Sequence, residues 1–561
     1  MIIVAGLAYA GATGKFKKLD TSAALRDRRQ LTTSGNIFSP AISGDGKQLG
    51  YFVKECKAAN CTYALVVQDV GTTTMRRVLD GITSGDGIEW SPDRRNLIVA
   101  GMIKGQSGTY LVSALGGAPR FLSAGASTFF AGGDSLLIAP PVSDSVFLVR
   151  TAGLDGVPRD TIRVPGAGFL GTLSMIPGTE RLVTMIVQSP HGLWQIIDRK
   201  TGKVTDKLMN SCTCGGTTSR DAVWMSRAGP TVAEAVVRIA VDPASGKFSS
   251  HQDTIYSGRF TGLTVTADGQ QMAVDDGSAT FTVRAVDTKE LLAGKMPVGA
   301  PLSQGTAQTS ARISPDGSRI LVRRDVPGSD GTSEIRLSVI PYPSGPETTI
   351  ATSGQVLRTV RWFDSTSLVV ASRVKGGLHL SLVDVRTNSV IRALDTGDSA
   401  TASAIALPNG WAWLDARRRE VLVAEGSDRR VLVKPSALTG LGSLAVSHDG
   451  TRLLYTRFQS ARDSASVEVV PLGGGPAVRW ATFQSRGASA QWLSDGSIAF
   501  VVFSGPETAS IYRLTEPGKS TLVGNVPHVA SALTLSDDMQ RATIGWSEDH
   551  GDAWLYRVVK P

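Results

Sequence analysis

The side chains that could do chemistry in this chain are few and widely spaced. Its four cysteines form two close pairs, Cys56 with Cys61 and Cys212 with Cys214, and its six histidines are scattered along the sequence. Cys56 and Cys61 flank a turn-like segment between two strand-like runs, and opposed residues of an antiparallel hairpin can reach disulfide distance. A Cys56–Cys61 disulfide is therefore predicted. The loop with Cys212 and Cys214 is compatible with either a strained bridge or two free thiols.

An alternative interpretation of the cysteines is a single four-cysteine zinc site. Its two halves would have to meet across about 150 residues, and neither half has the CxxC spacing of a strong zinc motif. Disulfides are expected instead, and paired cysteines are typical of an oxidising, extracytoplasmic compartment.

No catalytic motif is present in the sequence. It contains no Gly-x-Ser-x-Gly elbow, P-loop, His-Glu-x-x-His or protein-kinase motif. His448 lies inside a polar turn, and the acidic pairs Asp275-Asp276 and Asp537-Asp538 are interpreted as turns rather than as paired catalytic carboxylates. No catalytic, cofactor-binding or metal-binding residue is predicted, and a non-enzymatic protein is expected. The alternative is an enzyme whose active site is assembled from distant units, because a repeat protein can bring such units together in a central channel.

A short polar turn with Asp and Gly recurs roughly every 45 residues between apolar strand-like runs. The clearest copies contain the six aspartates Asp45, Asp93, Asp268, Asp316, Asp449 and Asp495. Weaker copies fall in phase near Asp134, Gly178, Ala228, Asp364, Asn409 and Asp538. An all-β repeat of this length predicts a propeller with four-stranded antiparallel blades. Asp accepts hydrogen bonds from nearby backbone N–H groups and Gly adopts the left-handed conformation, so the six aspartates are predicted to be structural.

Tryptophans recur just before these turns, at Trp90, Trp224, Trp362 and Trp492. Their shared position predicts packing between neighbouring blades near one rim of a ring.

The repeat resembles a known family. Residues 40–51 (PAISGDGKQLGY) and 311–321 (ARISPDGSRIL) look like the WD40-like PD40 repeat of TolB-type propellers, and residues 110–122 are similar to that family's third strand, Gly-Gly turn and fourth strand. The resemblance covers the chain from about residue 28 to 561. It implies a propeller that binds, such as a soluble periplasmic partner of an envelope complex. The opening Arg29-Gln30-Leu31-Thr32 also resembles the extracytoplasmic propellers of bacterial transmembrane serine/threonine kinases, whose kinase part this chain does not contain.

The number of units predicts two rings. About twelve blades exceed the four to eight usual for one ring, so two six-bladed propellers are predicted over residues 28–300 and 301–561; seven plus five blades and one continuous ring are the alternatives. The chain opens on a fourth-strand-like segment and closes after a third strand. We therefore predict that residues 28–33 pair with residues 552–559 and complete the last blade, which removes an exposed edge.

The N-terminal residues 1–27 are interpreted as a truncated membrane anchor or an irregular apolar arm, because the apolar run of 1–14 is shorter than the roughly 20 residues that span a bilayer. The net charge of +9 is spread thinly, so nucleic acid is not expected as a partner. The sequence thus predicts an extracytoplasmic binding or sensor module with a possible membrane tether through its N-terminus. Its partner is a protein or small ligand of unknown identity, and no cofactor is predicted.

Overall fold

The computed structural model describes most of the chain as strands joined by tight turns. The described residues are 24–57, 60–130, 132–143, 145–188, 191–210, 215–228, 234–258, 260, 262–293, 301–305, 309–327, 333–350, 355–374, 377–397, 401–415, 420–426, 428–434, 440–459, 464–485, 488–503, 508–527 and 532–559.

The first half of the described chain contains twenty-three strands and ends in a short helix. The strands are β1 (Ala24–Gln30), β2 (Ile37–Ile42), β3 (Gln48–Lys57), β4 (Asn60–Asp69), β5 (Met75–Trp90), β6 (Asn96–Ile103), β7 (Gln106–Ser113), β8 (Arg120–Ser123), β9 (Ser127–Phe129), β10 (Ser135–Ile138), β11 (Val142–Ser143), β12 (Val146–Gly153), β13 (Pro158–Pro165), β14 (Gly168–Met175), β15 (Arg181–Gln188), β16 (His191–Asp198), β17 (Val204–Asn210), β18 (Gly216–Ser219), β19 (Ala222–Ala228), β20 (Glu234–Asp242), β21 (Lys247–Gly258), β22 (Leu263–Val265) and β23 (Gln271–Asp287). The helix is α1 (Thr288–Leu292), and the Asp287 side chain caps it by accepting a hydrogen bond of 2.8 Å from the Lys289 N–H.

The second half continues in the same manner. Its strands are β24 (Ser303–Gly305), β25 (Thr309–Ile313), β26 (Arg319–Pro327), β27 (Ser333–Pro341), β28 (Thr348–Thr349), β29 (Gln355–Trp362), β30 (Ser367–Val374), β31 (Gly377–Asp384), β32 (Ser389–Gly397), β33 (Thr401–Leu407), β34 (Gly410–Asp415), β35 (Glu420–Glu425), β36 (Asp428–Val433), β37 (Gly440–Val446), β38 (Arg452–Gln459), β39 (Ser464–Pro471), β40 (Val478–Gln484), β41 (Ala488–Trp492), β42 (Ile498–Phe503), β43 (Thr508–Glu516), β44 (Lys519–Pro527), β45 (Ala532–Leu535) and β46 (Arg541–Val559).

These strands form twelve four-stranded antiparallel blades. Seven blades are separate four-stranded sheets, and an eighth, β14 to β17, also carries the two-residue strand β11. Two more blades share β5, whose first half is the outer strand of one and whose second half is the innermost strand of the next. The last two blades share β23 and β46. The prediction of tandem propellers with six blades each is confirmed.

β23 and β46 connect the two rings through one continuous ladder. They pair antiparallel from Gln271 opposite Arg557 to Asp287 opposite Arg541. The first half of β23 and the second half of β46 are the middle strands of the sixth blade of the first ring, between β22 and β1. Their other halves are the middle strands of the sixth blade of the second ring, between β24 and β45. Both rings are therefore closed by the same two strands.

The predicted closure by the N-terminal strand is confirmed, with a different register and location. β1 pairs with β46 from Ala24 opposite Val559 to Gln30 opposite Trp554, so it begins before residue 28. It completes the last blade of the first ring rather than the blade that β45 begins, because β46 runs on from one ring into the other. The contiguous ranges 28–300 and 301–561 thus do not follow the sheet pairing, and their status as separate domains stays a prediction.

The core of each ring lies between the faces of adjacent blades. One cluster packs Ala41, Phe52 and Leu65 of the first blade against Trp90 and Leu97 of the second. The indole N–H of Trp90 donates to the Ala41 carbonyl of the preceding blade at 2.9 Å. In the second ring the corresponding bonds run from Trp362 to the Arg312 carbonyl at 2.9 Å and from Trp492 to the Ala445 carbonyl at 3.3 Å. Trp224 differs, because it lies in the second strand of its blade, β19.

The Asp-Gly turns are held by short hydrogen bonds within the turn. Ser43 Oγ donates to Asp45 at 2.7 Å, and the same Ser or Thr to Asp bond is 2.5–2.6 Å long in the turns of Asp93, Asp268, Asp316 and Asp449. Asp495 instead accepts from the N–H and hydroxyl of Ser497, at 3.0 and 2.5 Å. Hydrogen bonds from Ser447 and Thr451 lower the pKa of Asp449 to about 2. The turn expected near Ala228 lies at Ser219–Ala222, where Ser219 Oγ donates to Asp221 at 3.1 Å.

Replacing Asp552 by alanine is expected to weaken the closure of the first ring. The half-buried carboxylate of Asp552 accepts hydrogen bonds from Gln30 Nε2 at 3.2 Å, Thr32 Oγ1 at 3.0 Å and the Gly35 N–H at 3.1 Å. Leaving such groups unpaired costs about 1–3 kcal/mol. Denaturant unfolding should show this loss in Asp552→Ala, whereas the exposed Asp428→Ala should match the wild type. Equal stability of the two variants would contradict this role.

Candidate functional site

The two rings have different side chains near the ends of the innermost strands that surround their central channels. Six innermost strands surround each channel, and most of their next-to-last residues occupy an equivalent register position. In β18 and β33, whose hairpin turns are shorter, the next-to-last residue lies on the opposite face of its blade. In the first ring the next-to-last residues are Ala41, Glu89, Thr128, Ser174, Thr218 and Thr264. In the second ring they are Arg312, Arg361, Ala406, Ala445, Gln491 and Thr534. We call each set the inner layer of its ring.

The inner layer of the first ring satisfies its own polar groups. Thr128 Oγ1 and the Phe129 N–H donate to Glu89 Oε1 at 2.7 and 3.2 Å. The hydroxyls of Ser174 and Thr218 are hydrogen-bonded to each other at 3.0 Å. Burial raises the pKa of Glu89 to about 7, even though the two hydrogen bonds favour its charged form. This layer links neighbouring blades.

All inner-layer residues of the second ring except Ala406 border a cavity of about 190 Å³. All six blades contribute to its wall: Arg312, Ile313, Pro315, Arg361, Trp362, Ile405, Ser443, Leu444, Ala445, Ser489, Ala490, Gln491, Ala499, Val501, Leu533, Thr534, Leu535 and Asp537. The wall combines apolar side chains with hydroxyl groups and two guanidinium groups. Asp537 is its one carboxylate among the described residues.

Arg361 is fixed across the channel by uncharged partners. Its Nη2 donates to Ser403 Oγ at 2.9 Å in the next blade, and its Nη1 donates to the Leu444 carbonyl in the blade beyond. Its Nε is buried without a hydrogen-bond partner. Loss of hydration and, to a smaller extent, repulsion from Arg312 lower the pKa of Arg361 to about 9. The side chain therefore stays protonated at neutral pH.

Arg312 projects its charge into the lumen. Its side chain is exposed there, although the surrounding blades exclude most bulk water, and this loss of hydration lowers its pKa, with repulsion from Arg323 in addition. Within the part of the chain that the structure describes, its guanidinium makes neither a hydrogen bond nor an ion pair. Two adjacent blades thus place two cations at the same level without a compensating carboxylate.

An acid–histidine pair lies at one mouth of this channel. His448 Nε2 is 2.9 Å from Asp537 Oδ2, and Gln491 Nε2 lies 3.4 Å from Asp537 Oδ1. Burial raises the pKa of Asp537, while the hydrogen bond with His448 opposes that shift. His448 was expected in a turn, and the structure places that turn where it reaches the turn of another blade.

Comparisons with solved structures include likenesses at low sequence identity. No family model matches the chain, and no curated protein matches it. TolB from Acinetobacter baumannii is similar at a TM-score of 0.31 and 10% identity, covering 66% of this chain and 81% of that chain. A nidogen/laminin complex is similar at a TM-score of 0.28 and 13% identity, covering 41% of this chain and 81% of that chain. The fold assignment therefore rests on the strand pairing itself.

The predicted cysteine pairs have different outcomes. Cys61 is buried and disulfide-bonded, and its Cα partner across the β3–β4 hairpin is Cys56. Directly opposed residues have the Cα spacing that a disulfide spans, and the Cys56–Cys61 bond stays a prediction. Cys212 and Cys214 lie outside the described residues.

The structure also bears on the predictions for the acidic pair Asp275-Asp276, for metal binding and for a membrane segment. Asp275 and Asp276 lie within β23 and not in a turn, and Asp276 pairs with Arg28 at 2.6 Å. Among the described residues, no group of three or more His, Cys, Asp or Glu side chains could hold a metal ion. In the same residues no helix is long and apolar enough to cross a membrane; the arm 1–23 lies outside them.

The sequence interpretation missed Arg312, Arg361 and Glu89. A signal was present, because Glu89-Trp90, Arg361-Trp362 and Gln491-Trp492 each place a polar residue directly before a tryptophan at the end of an innermost strand. Side chains alternate along a strand, so a tryptophan between blades puts its neighbour on the other face.

The raised pKa of Glu89 predicts a pH-dependent stability of the first ring. A folded-state pKa of about 7, above the unfolded value, gives a contribution that is present at pH 5 and is lost as the pH rises through 7. Relative to Glu89→Gln, the wild type should lose on the order of 1–3 kcal/mol between pH 5 and 8. Thermal unfolding of both proteins measures this, with the exposed Glu425→Gln as control. A difference that does not vary with pH would refute the assignment.

Proposed function

We propose that this protein is a non-enzymatic, extracytoplasmic binding module that holds a small ligand in the channel of its second ring. The observation that carries the proposal is the cavity of about 190 Å³, to whose wall all six blades of that ring contribute. Ligand sites are concave, mostly preformed and lined by apolar side chains with a few placed polar groups, and this wall has that composition.

The rigidity of the wall supports a binding role. The Trp362 and Trp492 indole N–H groups tie neighbouring innermost strands together, and Arg361 spans three blades. Such a wall does not need to be ordered when the ligand arrives, which lowers the entropic cost of binding.

The disulfide of Cys61 supports the extracytoplasmic location, because structural disulfides form and persist in oxidising compartments. In its finer form, the proposal is that ligand capture is relayed to a membrane partner, as the resemblance to kinase ectodomains or to envelope-complex propellers implies. This finer form includes attachment of the protein to the membrane, which fractionation of the native cells tests. The protein should be recovered with the membrane, and recovery only in the soluble extract would contradict the attachment.

A second candidate function is an enzyme with its active site in the same channel. The pairing of His448 with Asp537, beside a cavity that also contains two arginines, favours this possibility. Acid–base pairs with perturbed pKa values occur at catalytic sites and also in structural networks, so the pair alone does not establish catalysis.

A ligand screen that records both binding and turnover separates these functions. Ligand-observed NMR of the full chain against mixtures of organic acids, sugars and amino acids should show one class that binds and is recovered unchanged after prolonged incubation. Ser489→Trp, which fills the cavity wall with a larger side chain, should abolish that binding. Chemical conversion of a compound, lost in His448→Ala, would instead support the enzyme. Binding that survives Ser489→Trp would place the site elsewhere.

The disulfide prediction is tested by peptide mapping. Proteolysis of the unreduced protein should release a cross-linked peptide that contains Cys56 and Cys61, since these residues are opposed in the β3–β4 hairpin. Reduction before digestion should separate the two peptides. A link between Cys61 and Cys212 or Cys214 would show that the hairpin pairing is wrong.

A further inference from the structure

The inner layer of the second ring carries charge that the propeller fold does not require. The equivalent positions of three other innermost strands are occupied by Ala445, Gln491 and Thr534, and Ile405 lines the cavity from a fourth strand, so neutral side chains are compatible with the same strand geometry. Arginines at the remaining two positions are adjacent in the ring. Placing two like charges side by side in a water-poor channel is unfavourable unless something neutralises them.

The described protein atoms do not provide that neutralisation. Arg361 donates only to a hydroxyl and a carbonyl, and its buried Nε is unpaired. Arg312 has no polar partner in the described part of the chain. Asp537, the one carboxylate of the wall among the described residues, is already paired with His448 at 2.9 Å. The site therefore has two cations in excess of the acids available to them.

The chemistry of the wall indicates the missing partner. Guanidinium groups offer a planar fork of N–H donors that matches the two oxygens of a carboxylate or phosphate. The hydroxyl-bearing residues Ser443, Ser489 and Thr534 line the same space, and Ile405 and Leu533 give it an apolar side. We propose that Arg312 and Arg361 bind the carboxylate or phosphate group of a small organic anion in this channel; the inference rests on the proposed function and names the ligand class of that same site.

Calorimetric titration of the full chain tests the proposal. Sodium succinate and sodium phosphate are the probes, at constant low ionic strength, and sodium chloride is the control for unspecific screening. The wild type should bind at least one probe at a single site with a millimolar or lower dissociation constant. Succinate and phosphate are compared separately, so the stronger probe identifies which oxyanion the site prefers.

Two variants locate the bound anion. Arg312→Gln should weaken binding about tenfold or more, because a charged hydrogen bond is lost, and it disturbs no hydrogen bond seen among the described residues. Arg361→Lys keeps the charge and loses the fork, so it should also weaken binding. The matched control is Arg336→Gln, which removes the same charge from an exposed side chain of the same blade. Circular dichroism confirms folding of each variant.

The outcomes separate this inference from the proposed function. Equal binding by wild type and Arg312→Gln, or no binding of either probe, would overturn the anion site. A neutral compound that binds, is lost in Ser489→Trp and is kept in Arg312→Gln would overturn it while leaving the binding module intact. An anion that requires Arg312 but is chemically converted would uphold the site and overturn the non-enzymatic function.

Discussion

The antiparallel ladder between β23 and β46 is the interaction on which both rings depend. It supplies the two middle strands of one blade in each ring, so neither ring has six complete blades without it. A propeller ring is stable because every blade packs against two neighbours, and an open ring exposes two blade faces and their strand edges. Loss of the whole ladder therefore disturbs packing in two cores at once, because one half of it packs in the first ring and the other half in the second.

The inner layers of the two rings have the same kind of backbone but different side-chain chemistry. Both layers lie near the ends of the innermost strands, but the first uses hydroxyls that bond to one another and to Glu89, whereas the second exposes Arg312 and retains Arg361 on neutral acceptors. Polar groups that satisfy one another stiffen a structure, and groups left unsatisfied are free to bind something else. The first layer consequently joins blades, and the second is suited to recognition.

Much of the fold was predictable because it depends on local chemistry repeated many times. Each Ser-x-Asp-Gly turn is encoded within about four residues, and such turns revealed the number of blades. The continuity of β23 and β46 was not predictable, since the Asp275-Asp276 pair looks like a turn when its partner strand, almost 300 residues away, is unknown. The site had the same difficulty: Arg312 and Arg361 lie in separate blades, and their common position becomes visible only when the innermost strands are aligned in space.

The long strand β46 also has a consequence for biosynthesis. It is the last described strand to leave the ribosome, yet its second half is needed between β23 and β1, which are made much earlier. The first ring therefore cannot close while it emerges, and β1 waits for a partner more than 500 residues downstream. Contacts of such sequence separation form slowly and leave strand edges unpaired in the meantime. During synthesis both rings thus stay unfinished until β46 emerges, and they then close together.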